Sequence, residues 1–360
     1  KHAQGYTGNC TTASDVDRLP PGTWCRVPNS HLASVAPFGW TANVMPYSGG
    51  AYDTQRDRLI VWGGGHGDYA GNELYTFDLN SLNWSRLTDP SNPPGVDVPY
   101  AQDGNPTSRH TYEYIDYLSN ADLFCSFGGA GFYQSGQTGT GNIDCFNFSS
   151  NQWVRKTGRI LTGNSVGSVS AYDPVTGYEW VHTSDGSTPA LLQYDPVSDM
   201  VTQHVSWPPG WFTYYYTGAI EPVQRKFVIT GAGATYTWDL NSPNTNPVQL
   251  STSGDLSMES ASNPGFDYDS TTGLLIAWDG GENIYTLNLT SRVWSLVSPA
   301  TGNLITPTAG TLNGIFGRFR YVPSKNVFVA VNDINEDIYI YRLSSGGGVP
   351  APDTTPPSIA

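Results

Sequence analysis

His66 stands behind Gly63, Gly64 and Gly65 and ahead of Asp68, Tyr69 and Asn72. Further along, 44 positions on, His110 follows Arg109 and precedes Tyr112. Histidine is the side chain whose unperturbed titration falls near neutral pH. Tyrosine can pass a phenolic proton, and arginine holds a carboxylate through two parallel N–H donors. Together these types suit proton removal from a carbon beside a carboxylate. The arginine would stabilise the developing enolate, and the histidine would be a competent base.

Such residues need a frame that brings them together. The stretch Gly49–Leu87 holds four short runs, GGAYD, RLIVWGG, ELYTFDL and NWSRL, separated by polar turns. Each run is β-branched or aromatic and near period-2 alternation, which reads as a strand. The pattern recurs. Third strands are LYTFDL, IDCFNF, LLQYDP, TYTWDL, IYTLNL and IYIYRL, starting at Leu74, Ile143, Leu191, Thr235, Ile284 and Ile338. Second strands precede them and five fourth strands follow. The sixth copy lacks its fourth strand, and the lone TWCRVP near the N-terminus matches what is missing. The fold expected is all-β: a single β-propeller of about six four-stranded blades, the ring closed by that N-terminal strand. The long connections Asp89–Pro106 and Pro299–Leu312 leave room for a seventh, degenerate blade. Residues 1–22 read as a disulfide-stapled segment, 23–343 as the propeller, and 344–360 as a Gly/Pro/Thr linker to a further module.

In a propeller, the loop between strands two and three and the loop entering strand one share a face. This selects His66, Asp68, Tyr69 and Asn72 from blade one. Arg109, His110 and Tyr112 come from the entry to blade two, and Tyr133 and Gln134 from its own loop. Later blades add His182 and Asp185, then Trp211, Tyr214, Tyr215 and Tyr216, then Asp279 and Glu282, then Arg318, Arg320, Asn332 and Asp333. Aromatic rings stack on pyranose faces, so Trp211, Tyr214 and Tyr216 with Asn72 and the two arginines are substrate-binding candidates. Each residue has a plainer alternative. The tyrosine run can plug the channel, Arg318 and Arg320 can pair with Asp333 or Glu336, Asp279 and Glu282 can cap a turn, and His182, aligned with Trp62 and Trp278, can be a core residue.

Composition narrows the classes. The chain has 40 Gly and 26 Pro, and a net charge of -14 from only 13% charged residues. That excludes a basic nucleic-acid binder and also opposes polyanions at long range. No apolar run is long enough to cross a membrane. Cys10, Cys25, Cys125 and Cys145 form no CxxC pattern and fall into two local pairs, which predicts disulfides and an oxidising compartment. Lys1 would be a mature N-terminus after processing. No cofactor is expected. Asp68, Asn332, Asp333 and Asp337 offer loop oxygens to a structural Ca²⁺, without a spaced motif.

The glycine pair after strand two, with Tyr and then Trp later, resembles the kelch and galactose-oxidase-like propellers over about residues 23–343. GGGHGDYAGNELY followed by SRHTYEY resembles secreted propeller-type polysaccharide lyases of the ulvan lyase type. The resemblance implies β-elimination on a uronate-containing glycan by a monomeric module of a larger, secreted bacterial-type protein. It would place His66 and His110 beside the uronate, Arg109 or Arg318 on its carboxylate, and Tyr69, Tyr112 or Tyr214 as the second proton-transfer group. The chain departs in being shorter, in having six blades where those enzymes have seven, and in its wide histidine spacing. Two other readings compete. A non-catalytic glycan-binding propeller needs only the aromatic groove. A glycoside hydrolase needs two carboxylates, for which Asp279, Glu282 and Asp333 are candidates. TSDGST lacks the final Trp of a sialidase Asp-box, and a copper-radical oxidase needs a cysteine not already paired.

Overall fold

Aspartate or asparagine closes strand after strand in this chain, and the computed structural model shows why. It describes residues 5–37, 44–135, 140–160, 167, 169–184, 188–310 and 313–346. Asp185 and most of the C-terminal linker lie outside them. At the end of third strands, Asp78 accepts from the N–H groups of Asn80 and Ser81, Asn147 from Ser149 and Ser150, and Asn288 from Thr290 and Ser291. Asp53, Asp173 and Asp269 do the same after first strands. These short carboxylates and amides bond their own backbone two or three residues on, which sets the hairpin.

Six four-stranded antiparallel blades result, forming a β-propeller. Blade one runs Gly50–Asp53, Arg58–Val61, Tyr75–Asp78 and Asn83–Arg86. Blade two runs Ile115–Leu118, Leu123–Phe127, Asn142–Asn147 and Gln152–Arg159. The inner strands of blades three to five are Val169–Tyr172, Tyr216–Glu221 and Gly265–Asp269, and blade five gains a short parallel edge at Ser253–Gly254. Blade six is Phe319–Val322, Val327–Ala330, Ile338–Arg342 and, from the other end of the chain, Thr23–Val27. The ring closes as expected, Trp24 pairing with Tyr341 and Cys25 with Ile340. Trp24 is fully buried against Trp278 and Tyr341, and its indole N–H donates to Glu282 O at 2.9 Å. Among the described residues, the long connections form no seventh blade.

Both disulfides form, Cys10–Cys25 and Cys125–Cys145. The first ties the N-terminal segment to the closing strand, and the second joins directly paired residues of blade two. They are compatible with an extracellular protein. The N-terminal segment also holds a short helix, Ala13–Asp17, begun by a reciprocal Thr12–Asp15 capping box.

One difference matters for the site. HTYEYID reads as a single first strand, yet the inner strand starts only at Ile115. Arg109–His110 leaves the blade and pairs with Ala130–Gly131 as a separate ribbon. Tyr112, at φ +44°, breaks the strand between them.

Candidate active site

The site is built where two loops meet above the inner strands of blades one and two. Gly64 and Gly65 have φ of +114° and +61°. A Cβ on Gly65 would stand 2.1 Å from the Arg109 Cα, so only glycine lets this loop lie against the ribbon. His66 N–H then reaches Ala130 O and Gly131 O at 3.3 and 3.2 Å, and Tyr133 N–H donates to His66 O at 2.8 Å. The loop is thereby bonded to blade two's own second loop.

Two imidazoles face each other there. The His66 and His110 rings stack with centroids 4.9 Å apart and planes 9° from parallel. His110 Nε2 is 2.6 Å from Asp68 Oδ2. A carboxylate can only accept, so Nε2 carries the proton and Nδ1 presents a lone pair, 3.5 Å from the Tyr112 hydroxyl. His66 Nε2 bonds the Tyr133 hydroxyl. Tyr47 stacks on the far side of His110, centroids 4.7 Å apart. Each histidine is therefore coupled to a phenol, and one is also coupled to a carboxylate.

The backbone here is strained in a concentrated way. Tyr47, His66, Tyr112 and Phe316 have φ of +56°, +49°, +44° and +52°. These aromatic residues touch one another or His110. Non-glycine residues in this region cost about 1–3 kcal/mol each and gather where function holds them. Elsewhere most left-handed non-glycine residues sit in hairpin turns, many of them Asn or Asp.

Burial holds the His110 imidazole below its usual range, against the opposing pull of Asp68, and His66 adds to the lowering. The folded chain thus keeps His110 neutral where the unfolded chain would protonate it. His110 stabilises the fold less as pH falls through the ordinary histidine value of about 6.5. The side-chain ligand atoms of His66, Asp68 and His110 lie within 4.8 Å of one another. Two imidazoles in near-parallel planes cannot both aim an in-plane lone pair at one ion, so this arrangement suits proton transfer better than a metal.

The structure redistributes the residues singled out in the sequence. His66, His110 and Tyr112 come together. Asp68, read from the sequence as a loop oxygen for Ca²⁺, and Tyr133, selected by face without a role, join them; Tyr47 escapes sequence reading because nothing in its neighbourhood marks it. Arg109 does not face the cluster. It is fully buried, paired with Asp144 at 2.9 Å and lying over Trp62. Tyr69 is buried with its hydroxyl on Glu73 at 2.7 Å, and the buried phenol is pushed well above its usual range by desolvation and then by Glu73. Asn72 is buried too, bonding Ser91 and Pro106 O. Arg318 donates to Ser48 O, Val331 O and Gly314 O, and Arg320 to Gly50 O and Gly317 O, so both serve the ring. Packing needs, unreadable locally, claimed all five. Tyr216 is buried at the head of blade four, whereas Trp211, Tyr214 and Tyr215 are 55%, 50% and 50% exposed. Asn263 donates to Tyr214 O and accepts from Phe316 N–H, and Phe316 packs on Tyr112. That chain of contacts puts the Tyr214 backbone on the same face as the histidines.

His182 lies in the core, boxed by Trp207, Phe212 and Trp238. Burial lowers its pKa to about 3. Among the acidic candidates, Glu282 accepts from Thr306 and Asp333 from the Asn335 N–H. Asp279 has its pKa raised to about 6 by burial. Asp337, a candidate calcium ligand, pairs instead with Arg26 and His31.

No protein-family model and no curated protein matches the chain. Solved structures do. One titled "Structure of YjhT" is similar over 84% of this chain and 99% of its own, with 13% identity and a TM-score of 0.52. A structural-genomics protein of unknown function from Bacteroides thetaiotaomicron is similar over 85% of this chain and 70% of its own, with 12% identity and a TM-score of 0.50. At such identities the likeness concerns the fold alone.

Proposed function

We propose that the chain is a polysaccharide lyase that cleaves a uronate-containing glycan by β-elimination. The observation that carries this reading is the stacked His66–His110 pair, each ring coupled to a phenol, on strained backbone at the propeller face. In this reading Tyr112 removes the C5 proton of the uronate while its own proton passes to His110 Nδ1, and Asp68 stabilises the imidazolium that forms. The C5–H electron pair becomes the C4–C5 double bond, the glycosidic C–O bond breaks, and Tyr133, backed by His66, protonates the leaving oxygen. Neutralisation of the carboxylate falls to the N–H and O–H donors of this cluster, because Arg109, Arg318 and Arg320 are buried. Secretion, assigned from the cysteines, belongs to the same proposal.

Incubation with a panel of uronate polysaccharides tests it. Ultraviolet absorbance from a conjugated unsaturated uronate is the expected result. Reducing ends without that absorbance would mean hydrolysis. Neither signal, with retention on a glycan column, would favour a binding module, the reading that the exposed Trp211, Tyr214 and Tyr215 support by themselves. Two further outcomes are expected. Trp211→Ala raises KM by roughly fivefold with kcat little changed, since a stacking contact is worth about 1 kcal/mol. The acid limb of kcat/KM lies below pH ~6.5, and Asp68→Asn moves it lower still, because removing the carboxylate removes the one influence that raises His110.

A further inference from the structure

Tyr47 moves no proton in the histidine cluster, yet it touches both members of one proton-transfer pair. Its ring lies over His110 with centroids 4.7 Å apart and planes 28° from parallel. His66 stacks on His110 at 4.9 Å and 9°. Among the described residues no ring contact joins Tyr47 to His66, so the two cover opposite faces of the imidazole. His110 is therefore the middle layer of three rings. Its edges are engaged as well, Nε2 by Asp68 Oδ2 at 2.6 Å and Nδ1 by the Tyr112 hydroxyl at 3.5 Å.

The core does not need this tyrosine. Tyr47 is 39% exposed and belongs to none of the hydrophobic clusters among the described residues. Its ring contacts there are His110 and, edge-on at 6.2 Å, Tyr112. Its carbonyl accepts from the Tyr112 N–H at 2.8 Å. One residue thus holds His110 by its ring and Tyr112 by its backbone. It does so at φ +56°, a conformation that costs a non-glycine residue about 1–3 kcal/mol. Glycine or asparagine would take that backbone more cheaply and would offer the same carbonyl. What they would lack is the flat face on His110.

We infer that Tyr47 is a positioning residue, whose ring and that of His66 clamp the His110 imidazole with Nε2 on Asp68 and Nδ1 on Tyr112. Turning the imidazole about Cβ–Cγ would put carbon where each nitrogen stands and take both off their partners. The turn must pass through an orientation across the stack, and the two covered faces forbid it. The same cover keeps water from the ring. The titratable groups that meet His110 are Asp68, His66, Tyr112 and Tyr47 itself, while Arg109, beside it on the ribbon, turns to Asp144. Burial is the largest influence holding His110 below its usual range, and the Tyr47 ring supplies part of it. The consequence for turnover rests on the lyase reading; the consequence for the imidazole does not.

The test labels the histidine rings of the whole chain with ¹⁵N and follows His110 by NMR without substrate, its signals assigned by their loss in His110→Gln. The parent should hold one neutral tautomer, with the proton on Nε2. Tyr47→Asn removes the ring and suits the left-handed backbone. It should give a mixture of tautomers and a His110 pKa about one unit or more higher, towards ~6.5. Tyr47→Phe keeps the face and should match the parent. On a uronate polysaccharide, Tyr47→Asn should lower kcat by about 10²-fold with KM little changed, and Tyr47→Phe should restore it. A tautomer mixture in the parent overturns the inference without any variant. So does a Tyr47→Asn chain with the parent's tautomer and pKa, or with the parent's kcat, and so does a Tyr47→Phe chain that behaves like Tyr47→Asn. The expected NMR result in a parent that cleaves no uronate glycan supports the clamp and removes the lyase reading alone.

Discussion

His66→Ala and His110→Ala are each expected to lower lyase turnover by about 10²- to 10⁴-fold, the usual contribution of a positioned acid or base. The two pairs act as a unit on one elimination, one taking the C5 proton and the other protonating the oxygen that leaves C4, so the double variant should be little worse than the poorer single one. Tyr133→Phe separates the chemistry from the packing. It keeps the ring against His66 and removes only the hydroxyl, so turnover falls while the circular dichroism spectrum and melting behaviour hold. His66 is half-buried, and its replacement should also leave the fold intact. Turnover that survives in both histidine variants would remove the cluster from the mechanism, whatever the reaction proves to be.

Asp144→Ala is expected to destabilise the protein by about 3–5 kcal/mol, since it leaves a buried guanidinium without its counter-charge. Asp144 Oδ2 holds Arg109 at 2.9 Å, and its Oδ1 accepts from the Tyr100 hydroxyl at 2.8 Å, beneath the Arg155 guanidinium. Arg109→Met with Asp144→Leu should recover much of the loss, because a buried ion pair often contributes little more than well-packed apolar groups of similar size. Denaturant midpoints measure both. Activity supplies the link to the site. Arg109 sits beside His110 on the ribbon, so the single variant should lose turnover in step with ribbon order, and the double variant should regain it. A single variant as stable as the parent would mean that the pair is solvated and that the arginine is available to a substrate after all.

The proton-transfer residues and the packing residues carried the same signals in the sequence, and this is where reading them stopped. Arg109, Arg318 and Arg320 are scarce cations near the expected face, and each looks like a carboxylate ligand. Nothing local to them says that Asp144, Ser48 O or Gly50 O will take their donors. Tyr69 and Tyr112 are both tyrosines close behind a histidine. One turns its hydroxyl to Glu73 and the other to His110, a choice made by the left-handed φ of Tyr112 and by the departure of the Arg109–His110 ribbon from its blade.

Local periodicity determined six blades and the strand that closes the ring, because each blade repeats one pattern of alternating residues and turn carboxylates that depends on neighbours in sequence; that the long connections add no seventh blade was decided by the structure. The disulfide pairing was equally local. The stacking of His66 on His110, the role of Asp68 and the burial of the arginines were decided by tertiary structure. They depend on which side chains from different blades share the water-poor space around the ring axis, where a charge or a proton is set by partners far away in the chain.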